Sequence, residues 1–337
     1  MQRYQLFIGI DISKKWIDVC VSHTGKRSEM PHRQFSNREA GFKKMLHFID
    51  QYAKYHSIEG TWLFCLEHTG LYVLPICSFL QQHALNYVLQ SALVIQRSLG
   101  IRRGKTDRLD AADITRYAFL HQQDLRPSYL PSERLLEIKH LLAFRARLIK
   151  SKNSFSVAAK EIAEFSKATS QVLPSSDQLC SQIIAMIKDV EKQILVLIRA
   201  SPQLRALFDL ITSVKGVGLI VGAHLLVYTN GFTAFQCPRQ FACYIGIAPF
   251  PHRSGGAIKR PDRVSHLANK KLKTIISSGA LSARRWDKQL NAYFERKVGE
   301  GKNPFLVQNN IKNKFVQRIF AVVKRGTPYC ELHQHLA

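Results

Sequence analysis

Residues 4–35 alternate between apolar runs and short polar turns, and this pattern predicts three strands. The run "YQLFIGID" is almost wholly apolar, "WIDVCVS" alternates, and a third short run ends at "RQFSN". The stretch "HTGK" supplies a glycine turn between the second and third runs. Two further short strands are predicted at 61–67 and 86–90, where apolar residues again run together.

Helical periodicity separates these strands. Ser36 is expected to cap a helix whose Phe42, Met45, Ile49 and Tyr52 fall on one face. A second helix is predicted over "HTGLYVLPICSFLQQH", and a third opens at Thr106. The order of three strands, helix, strand, helix, strand, helix predicts an α/β domain over residues 1–124. We expect a mixed sheet with an antiparallel hairpin at its start and helices on its faces.

Beyond the proline-marked stretch at 124–132 the pattern becomes helical. We expect a helical, coiled-coil-like middle domain over 125–203, with a hinge at 173–178 and an end at Pro202. One row of apolar residues steps by four and three, as the a and d positions of a coiled coil do; it consists of Ile183, Ile187, Val190, Ile194 and Leu197. This row fits either a helix pair within one chain or a dimer contact. A mostly α C-terminal domain is predicted over 204–337.

The net charge of the chain indicates what kind of partner the protein binds. The net charge is +25, and residues 251–337 hold 18 Lys and Arg against 5 Asp and Glu. Such an excess repels itself unless a polyanion neutralises it, which favours nucleic acid as the partner. The seven cysteines contain no CxxC pair, which argues against a disulfide framework or a zinc finger. The sequence shows neither a membrane span nor a signal-peptide pattern, so no membrane partner and a cytoplasmic location are expected.

Four acids stand where predicted strands end or predicted helices begin: Asp11, Glu67, Asp107 and Asp110. Asp107 and Asp110 are three residues apart and therefore share a helix face, and Asp113 extends that row as a possible substitute. Carboxylates this close repel one another unless a cation holds them together. Hard oxygen ligands suit Mg²⁺, and two ions about 4 Å apart would clamp a phosphoryl transfer. Each acid alone also has an ordinary explanation as a cap or an ion-pair partner.

The C-terminal domain contains two stretches that suit phosphate contacts. "LITSVKGVGLIVGAHLL" fits the hairpin of a helix-hairpin-helix, whose glycines let backbone N–H groups approach a phosphate, although a tight turn between core helices fits as well. Further on, a Ser-Gly-Gly loop surrounded by basic residues leads into a lysine-rich helix.

The basic residues and glycines beside these motifs are the candidate nucleic-acid contacts. They are Lys14, Lys15, Arg102, Arg103, Lys105, Lys215, Gly216, Gly218, Arg253, Lys259, Arg260, Arg263, Lys270, Lys271 and Lys273.

The segments "GIDISKKWIDV", "CLEHTGLY" and "RRGKTDRLDAADI" together resemble the DEDD transposases of bacterial insertion sequences, a group that includes the Piv-like DNA invertases. The stretch "GIAPFPHRSGG" and the C-terminal part "GEGKNPFLVQNNIKNKFVQRIFAVVKRGTPY" resemble the second domain of the same family. The resemblance implies an RNase H-like, RuvC-like N-terminal domain whose four metal-binding acids are Asp11, Glu67, Asp107 and Asp110.

The resemblance also implies a role for Ser254, which by itself reads as an ordinary loop serine. In the family the serine at this place is implicated as the nucleophile on DNA. We therefore expect a recombinase of an insertion sequence that cuts and rejoins DNA through a phosphoserine, with two Mg²⁺ ions, for which Mn²⁺ substitutes. The family further implies DNA at the element ends and target, a structured noncoding guide RNA, a homo-oligomer (dimer or tetramer) and a bacterial, nucleoid-associated location.

Two alternatives fit the same residues. A junction-resolving nuclease would use metal-bound water and form no serine adduct. A non-catalytic nucleic-acid-binding protein would use the acids only as caps and ion-pair partners.

Overall fold

The computed structural model describes residues 4–100, 104, 106–166, 171–254 and 258–330. The chain divides into two compact units, residues 1–130 and residues 131–337. The boundaries expected at 124 and 203 stay predictions. In the second unit, residues on either side of 203, such as Ile194 and Phe315, belong to one buried apolar cluster.

The first unit is built on a five-stranded mixed sheet with the order β3-β2-β1-β4-β5. The first three strands pair antiparallel, whereas β4 runs parallel to β1 and β5 runs parallel to β4. The predicted mixed sheet with an initial hairpin is therefore confirmed. The strands are β1 (Leu6–Ile12), β2 (Trp16–Ser22), β3 (His32–Ser36), β4 (Trp62–Glu67) and β5 (Tyr87–Gln90).

Helices cover this sheet. They are α1 (Glu39–Tyr55), α2 (Leu74–Gln82), α3 (Ala92–Ser98) and α4 (Asp107–His121). Thr106 caps α4 as predicted, because its hydroxyl accepts a hydrogen bond from the Leu109 amide at 3.2 Å. The predicted cap at Ser36 is wrong: Ser36 is still paired with Trp16 at the end of β3, and α1 begins three residues later. Helix α3 was not predicted.

One polar contact fixes the depth at which α4 lies on the sheet. The buried Thr115 hydroxyl accepts a hydrogen bond from the Gly9 amide of β1 at 3.0 Å and lies 3.1 Å from the Cys20 carbonyl oxygen of β2. It therefore bridges two neighbouring strands from above. Gly9 makes this approach possible, because a Cβ at that position would lie 2.3 Å from the Thr115 amide nitrogen.

The second unit is mostly helical. Its elements are α5 (Glu133–Phe165), α6 (Val172–Arg199), α7 (Pro202–Thr212), α8 (Leu219–Tyr228), α9 (Pro238–Tyr244), β6 (Pro249–Ser254), β7 (Ile258–Val264), α10 (Lys270–Trp286), α11 (Lys288–Gly299) and α12 (Pro304–Arg325). Among the described residues, no helix combines the length and the apolarity that crossing a membrane requires.

Helices α5 and α6 contact each other along their lengths. The apolar row of α6 belongs to the buried cluster of the second unit, with Ile183, Val190 and Ile194 buried and Ile187 and Leu197 packed against them. This row therefore packs in the interior of one chain. The hinge predicted at 173–178 is wrong, because α6 already begins at Val172 and Pro174 lies in its first turn, where a missing N–H costs nothing.

Strands β6 and β7 form an antiparallel two-stranded sheet that the sequence pattern did not indicate. The segment carries several prolines and no clear alternation, and proline is tolerated in strands mainly at edges and irregularities. Both conditions hold here, since each strand has a free edge within its sheet and the register shifts between Phe250 and His252.

Replacing Gly9 should weaken the first unit. Gly9→Ala places a methyl group 2.3–2.4 Å from backbone atoms of α4, so strand and helix must separate. We expect a loss of about 1–3 kcal/mol in the free energy of unfolding, measured by urea denaturation. Gly299→Ala is the control, because a Cβ there meets nothing within 4 Å. Equal stability of the two variants would contradict the tight contact.

Candidate metal centre and serine hairpin

Asp11 is held by β1, the central strand of the five-stranded sheet in the first unit. Its neighbours Ile10 and Ile12 are buried on the face away from α4, while Asp11 lies on the same face as Gly9, beneath that helix. The carboxylate accepts a hydrogen bond from the Ile12 amide at 2.9 Å. Its position is therefore set by the sheet rather than by a flexible loop.

Asp107 and Asp110 come from the first turn of α4. Acidic side chains are favoured there by the partial positive charge of a helix N-terminus. The close contact of α4 with β1 brings both to Asp11. Carboxylate oxygens of Asp11, Asp107 and Asp110 all lie within 4.8 Å of one another, a spacing at which one metal ion could be held. These three residues form the carboxylate cluster.

Glu67 is the last residue of β4 and lies beside this cluster. The parallel pairing of β1 with β4 runs as far as Ile10 with Leu66, so Asp11 and Glu67 follow at neighbouring positions. Glu67 is near enough to raise the pKa of Asp11 electrostatically, but it is not one of the three carboxylates within 4.8 Å. The convergence of all four acids in one coordination sphere stays a prediction.

The surroundings of Asp11 disfavour its negative charge. Its pKa is raised to about 6, mainly by burial, then by the neighbouring Asp110 and more weakly by Glu67 and Asp107. The hydrogen bond from the Ile12 amide lowers the pKa but only partly offsets these effects. A carboxylate held in this way is stabilised when it binds a proton or a cation. The donor set is all oxygen, so it fits a hard divalent ion such as Mg²⁺.

Two further aspartates near the cluster have protein partners. Asp113 is buried and forms an ion pair with Arg27, so it is not one of the three clustered carboxylates. Asp18 lies opposite Asp11 in the β1–β2 pair, is buried, and bonds His32 Nε2 at 2.8 Å and Gln34 Nε2 at 3.1 Å. Sequence reasoning missed Asp18, although its place in the alternating "WIDVCVS" strand put an acid directly across from Asp11.

The basic candidates of the first unit flank the cluster in the sequence. Lys14 and Lys15 are exposed in the turn between β1 and β2, immediately after Asp11's strand. Arg102, Arg103 and Lys105 lie outside the described residues. The two lysines therefore present positive charge beyond the end of the strand that carries Asp11.

In the second unit, the predicted glycine turn joins α7 to α8. Gly216 has a positive φ of 95°, and a Cβ there would lie 2.4 Å from the Gly279 carbonyl oxygen of α10. Its close approach is thus to a helix of the same chain. Gly218, by contrast, is exposed, and among the described residues no atom lies within 4 Å of a Cβ placed there. Lys215, which precedes Gly216, is also exposed. The helix-hairpin-helix role of this turn stays a prediction.

Ser254 is the last residue of β6 and pairs with Ile258 at the start of β7. Arg253 pairs with Lys259, and Arg260 pairs with His252, so the predicted basic residues share this hairpin. Residues 255–257 and the side chains of 252–262 lie outside the described part of the chain. Arg263, Lys270 and Lys271 are exposed and Lys273 is half-buried, the lysines being in the first turn of α10.

Comparison with known proteins places this chain in a family. Residues 8–162 match a family model described as a transposase of the DEDD, IS110 type, and residues 208–295 match the model "Transposase IS116/IS110/IS902 family". The chain belongs to the IS110 family of transposases. The carboxylate cluster lies within the first match and the Ser254 hairpin within the second.

Individual relatives agree with this membership. The pilin gene-inverting protein of Moraxella bovis is 25% identical over 96% of this chain and 97% of its own length. An uncharacterized 43.6 kDa protein of insertion element IS110 from Streptomyces coelicolor is 27% identical over 47% of this chain and 38% of its own. A 42 kDa protein of insertion element IS900 from Mycobacterium paratuberculosis is 36% identical over 28% of this chain and 24% of its own. Membership of this family implies DNA recombination activity and divalent metal use.

The raised pKa of Asp11 predicts pH-dependent metal binding. A cation needs the ionised carboxylate, which is mostly present at pH 7 and mostly absent at pH 5 when the pKa is about 6. Affinity for Mn²⁺, measured by titration calorimetry, should therefore fall about tenfold between these pH values through this group alone. The control variant Asp50→Asn, at a half-buried acid of α1 paired with Lys54, should keep this pH dependence.

Without metal, the same shift acts on stability. The pKa of Asp11 is higher in the folded protein than its unfolded value of 3.8, so the folded state binds the proton more tightly. This binding stabilises the fold fully below about pH 4, and the stabilisation is lost as the pH rises through about 6. Asp11→Asn should therefore raise the melting temperature of metal-free protein more at pH 7 than at pH 4. A gain that is the same at both values would contradict the raised pKa.

Proposed function

We propose that this transposase cuts and rejoins DNA strands of an insertion sequence by phosphoryl transfer, with Ser254 as the nucleophile and the carboxylate cluster as its metal site. The observation that carries the proposal is the convergence of Asp11, Asp107 and Asp110 within 4.8 Å in a member of a transposase family. Carboxylates that only capped helices or paired with lysines would have no reason to meet.

Asp11, Asp107 and Asp110, with Glu67 at the neighbouring strand end, are the residues that would hold the metal. We propose Mg²⁺, as two ions, with Mn²⁺ as a substitute. Bound there, divalent cations supply Lewis acidity, which neutralises charge on the phosphate oxygens and lowers the pKa of a hydroxyl. The buried strand β1 keeps Asp11 in place, and the contact of Thr115 with Gly9 and Cys20 keeps α4 in place above it.

Ser254 carries the covalent step. Its hydroxyl loses a proton to a base, the Ser254 Oγ–phosphorus bond forms, and the bond from phosphorus to one deoxyribose oxygen breaks. The leaving oxygen takes up a proton as a free hydroxyl. In rejoining, a strand-end hydroxyl attacks the phosphoserine, so the serine is restored and no external energy source is needed.

The positive charge of the hairpin suits this step. Arg253, Lys259 and Arg260 lie in the same two strands as Ser254, and Arg263 is exposed farther along β7. Cations near the reacting phosphate stabilise the negative charge that develops on its equatorial oxygens. The lysines that open α10 add further positive charge to the same unit.

The partners follow from charge and from the family. Donor and target DNA are the proposed substrates, and a structured noncoding RNA is the proposed guide, as the resemblance implies. A net charge of +25 suits both polyanions. A homo-oligomer stays part of the proposal, although the apolar row of α6 does not support it, since that row is used inside one chain.

The decisive test is a covalent adduct at Ser254. Wild-type protein incubated with Mg²⁺ and a nicked suicide substrate should yield a protein–DNA adduct that survives a denaturing gel. Ser254→Ala should lose the adduct and recombination while keeping its affinity for DNA, because only the nucleophile is removed. Asp11→Asn should lose the adduct as well. Ser278→Ala, an exposed serine of α10, is the matched control and should react normally.

Strand cleavage by Ser254→Ala at the wild-type rate would overturn the phosphoserine proposal. A nuclease that uses water would then be the better account, with the metal site unchanged. Loss of DNA affinity in Ser254→Ala would show that the serine supports the hairpin.

Nucleic-acid affinity should depend steeply on salt. A protein that contacts about 6–10 phosphates loses roughly 10³–10⁵ in affinity between 50 and 200 mM salt. Replacing Lys270, Lys271 and Lys273 by Ala should flatten the slope and weaken binding equally for all sequences, since phosphate contacts carry no sequence information. Replacing Lys43 and Lys54, which are paired with acids along α1, should change little. An unchanged slope in the α10 variant would remove these lysines from the interface.

A further inference from the structure

A cavity of about 470 Å³ opens in the second unit at the root of the Ser254 hairpin. Its walls come from α9, α11 and α12 and from the residues that lead into β6. Its volume lies within the range of about 300–1,000 Å³ that small-molecule sites occupy. The lining belongs in part to the stretch "QNNIKNK", which the phosphoryl-transfer chemistry leaves unexplained.

The charge of the lining has one sign. Arg239 of α9 and Lys314 of α12 are its ionised side chains, and both are exposed. No carboxylate belongs to the described lining. Such a wall attracts an anion, and a phosphate is the anion that a recombinase meets.

Amides supply a second kind of recognition. Asn310 and Gln317 lie seven residues apart on the same face of α12 and line the cavity. Within the described part of the chain, neither side chain makes a hydrogen bond to protein. Each therefore offers a donor and an acceptor to a ligand, which is the combination that the edge of a nucleobase requires.

Apolar and aromatic surface completes the lining. Ala242, Ala248 and Pro249 provide small aliphatic groups, and Tyr293 of α11 provides a half-buried ring. Lys314 Nζ lies 4.7 Å from the centre of that ring, which holds the cation at the wall of the cavity. Planar bases bind against surfaces of this kind.

The cavity is also tied to the reactive hairpin. Asn309 and Asn313 of α12 each donate a hydrogen bond to the Ile247 carbonyl oxygen, at 2.9 and 3.1 Å, two residues before β6. Pro249, which begins β6, lines the cavity. At about 3.3 Å per residue, Ser254 lies roughly 17 Å farther along that strand.

We propose that this cavity binds one unpaired nucleotide of the strand that is handled at Ser254. The base would enter between the amides of Asn310 and Gln317, and its phosphate would contact Arg239 and Lys314. A paired base presents part of its edge to its partner and stays stacked, so the ligand is a nucleotide outside a duplex. The inference rests on the proposed function, because it takes the substrate of the Ser254 site as its ligand.

The test uses charge-neutral variants, so that loss of a base contact is separated from loss of electrostatic attraction. Binding of a labelled single-stranded DNA is measured by fluorescence anisotropy without Mg²⁺, beside an oligonucleotide of the same length with abasic positions. The wild type should bind the intact strand more tightly than the abasic one. The double variant Asn310→Leu, Gln317→Met should bind the intact strand roughly tenfold more weakly, with an unchanged salt slope and unchanged affinity for the abasic strand.

Three controls make the result specific. Asn291→Leu, an exposed amide of α11 outside the cavity lining, should bind both strands like the wild type. Lys314→Met should reduce the salt slope by about one, on intact and abasic strands alike. Ser254→Ala should keep the full preference for bases, so failure of the phosphoserine proposal and failure of this one are distinguishable. Melting temperatures establish that each variant is folded.

Two results would overturn the inference. Equal weakening of the intact and abasic strands in the double variant would show that the amides support local structure. An equal effect on a fully paired duplex would show that the nucleotide need not be unpaired. A parallel series with RNA assigns the source: a base preference confined to RNA gives the cavity to a guide strand, and one seen with DNA gives it to the substrate strand.

Discussion

The candidate metal site depends on how closely α4 lies on the sheet. A single hydroxyl, that of Thr115, bonds the Gly9 amide of β1 and bridges to the Cys20 carbonyl of β2, so helix and both strands are fixed at one point. Asp11 is two residues from Gly9 along β1, and Asp110 and Asp107 are one and two turns from Thr115 along α4. A side chain at residue 9 would lift the helix and separate the carboxylates, so glycine there is a requirement of the site as well as of the packing.

Bringing these carboxylates together opposes folding, and the surrounding structure must offset that cost. Burial of Asp11 and repulsion from the neighbouring carboxylates both disfavour its negative charge and raise its pKa. The offset comes from the apolar strand that holds Asp11 and from the N-terminus of α4, whose partial positive charge favours Asp107 and Asp110. The unit is therefore poised to gain stability from a divalent cation, because binding relieves a repulsion that the fold has already imposed.

The sequence predicts those parts of the structure that depend on a single residue or on the hydrophobic periodicity of one segment. The strands β1 and β2, the cap at Thr106 and the spacing of Asp107 and Asp110 follow from local features of the sequence, and the structure has them. The predicted cap at Ser36 is wrong because Ser36 pairs with Trp16 in the sheet. The predicted hinge at 173–178 is wrong because these residues already belong to α6. The β6–β7 hairpin and the α12 cavity depend on which segments meet, and no periodicity in the sequence carries that information.

The proposed nucleophile of the second unit is held in the opposite way from the acids of the first. Asp11 is fixed by burial in a central strand, whereas Ser254 is at the end of a two-stranded hairpin. Such a hairpin has little packing of its own and needs support at its root. Asn309 and Asn313 supply it by bonding the Ile247 carbonyl, and the same helix lines the cavity beside Pro249. Helix α12 therefore supports the root of the hairpin through Asn309 and Asn313, and Asn313 also lines the cavity.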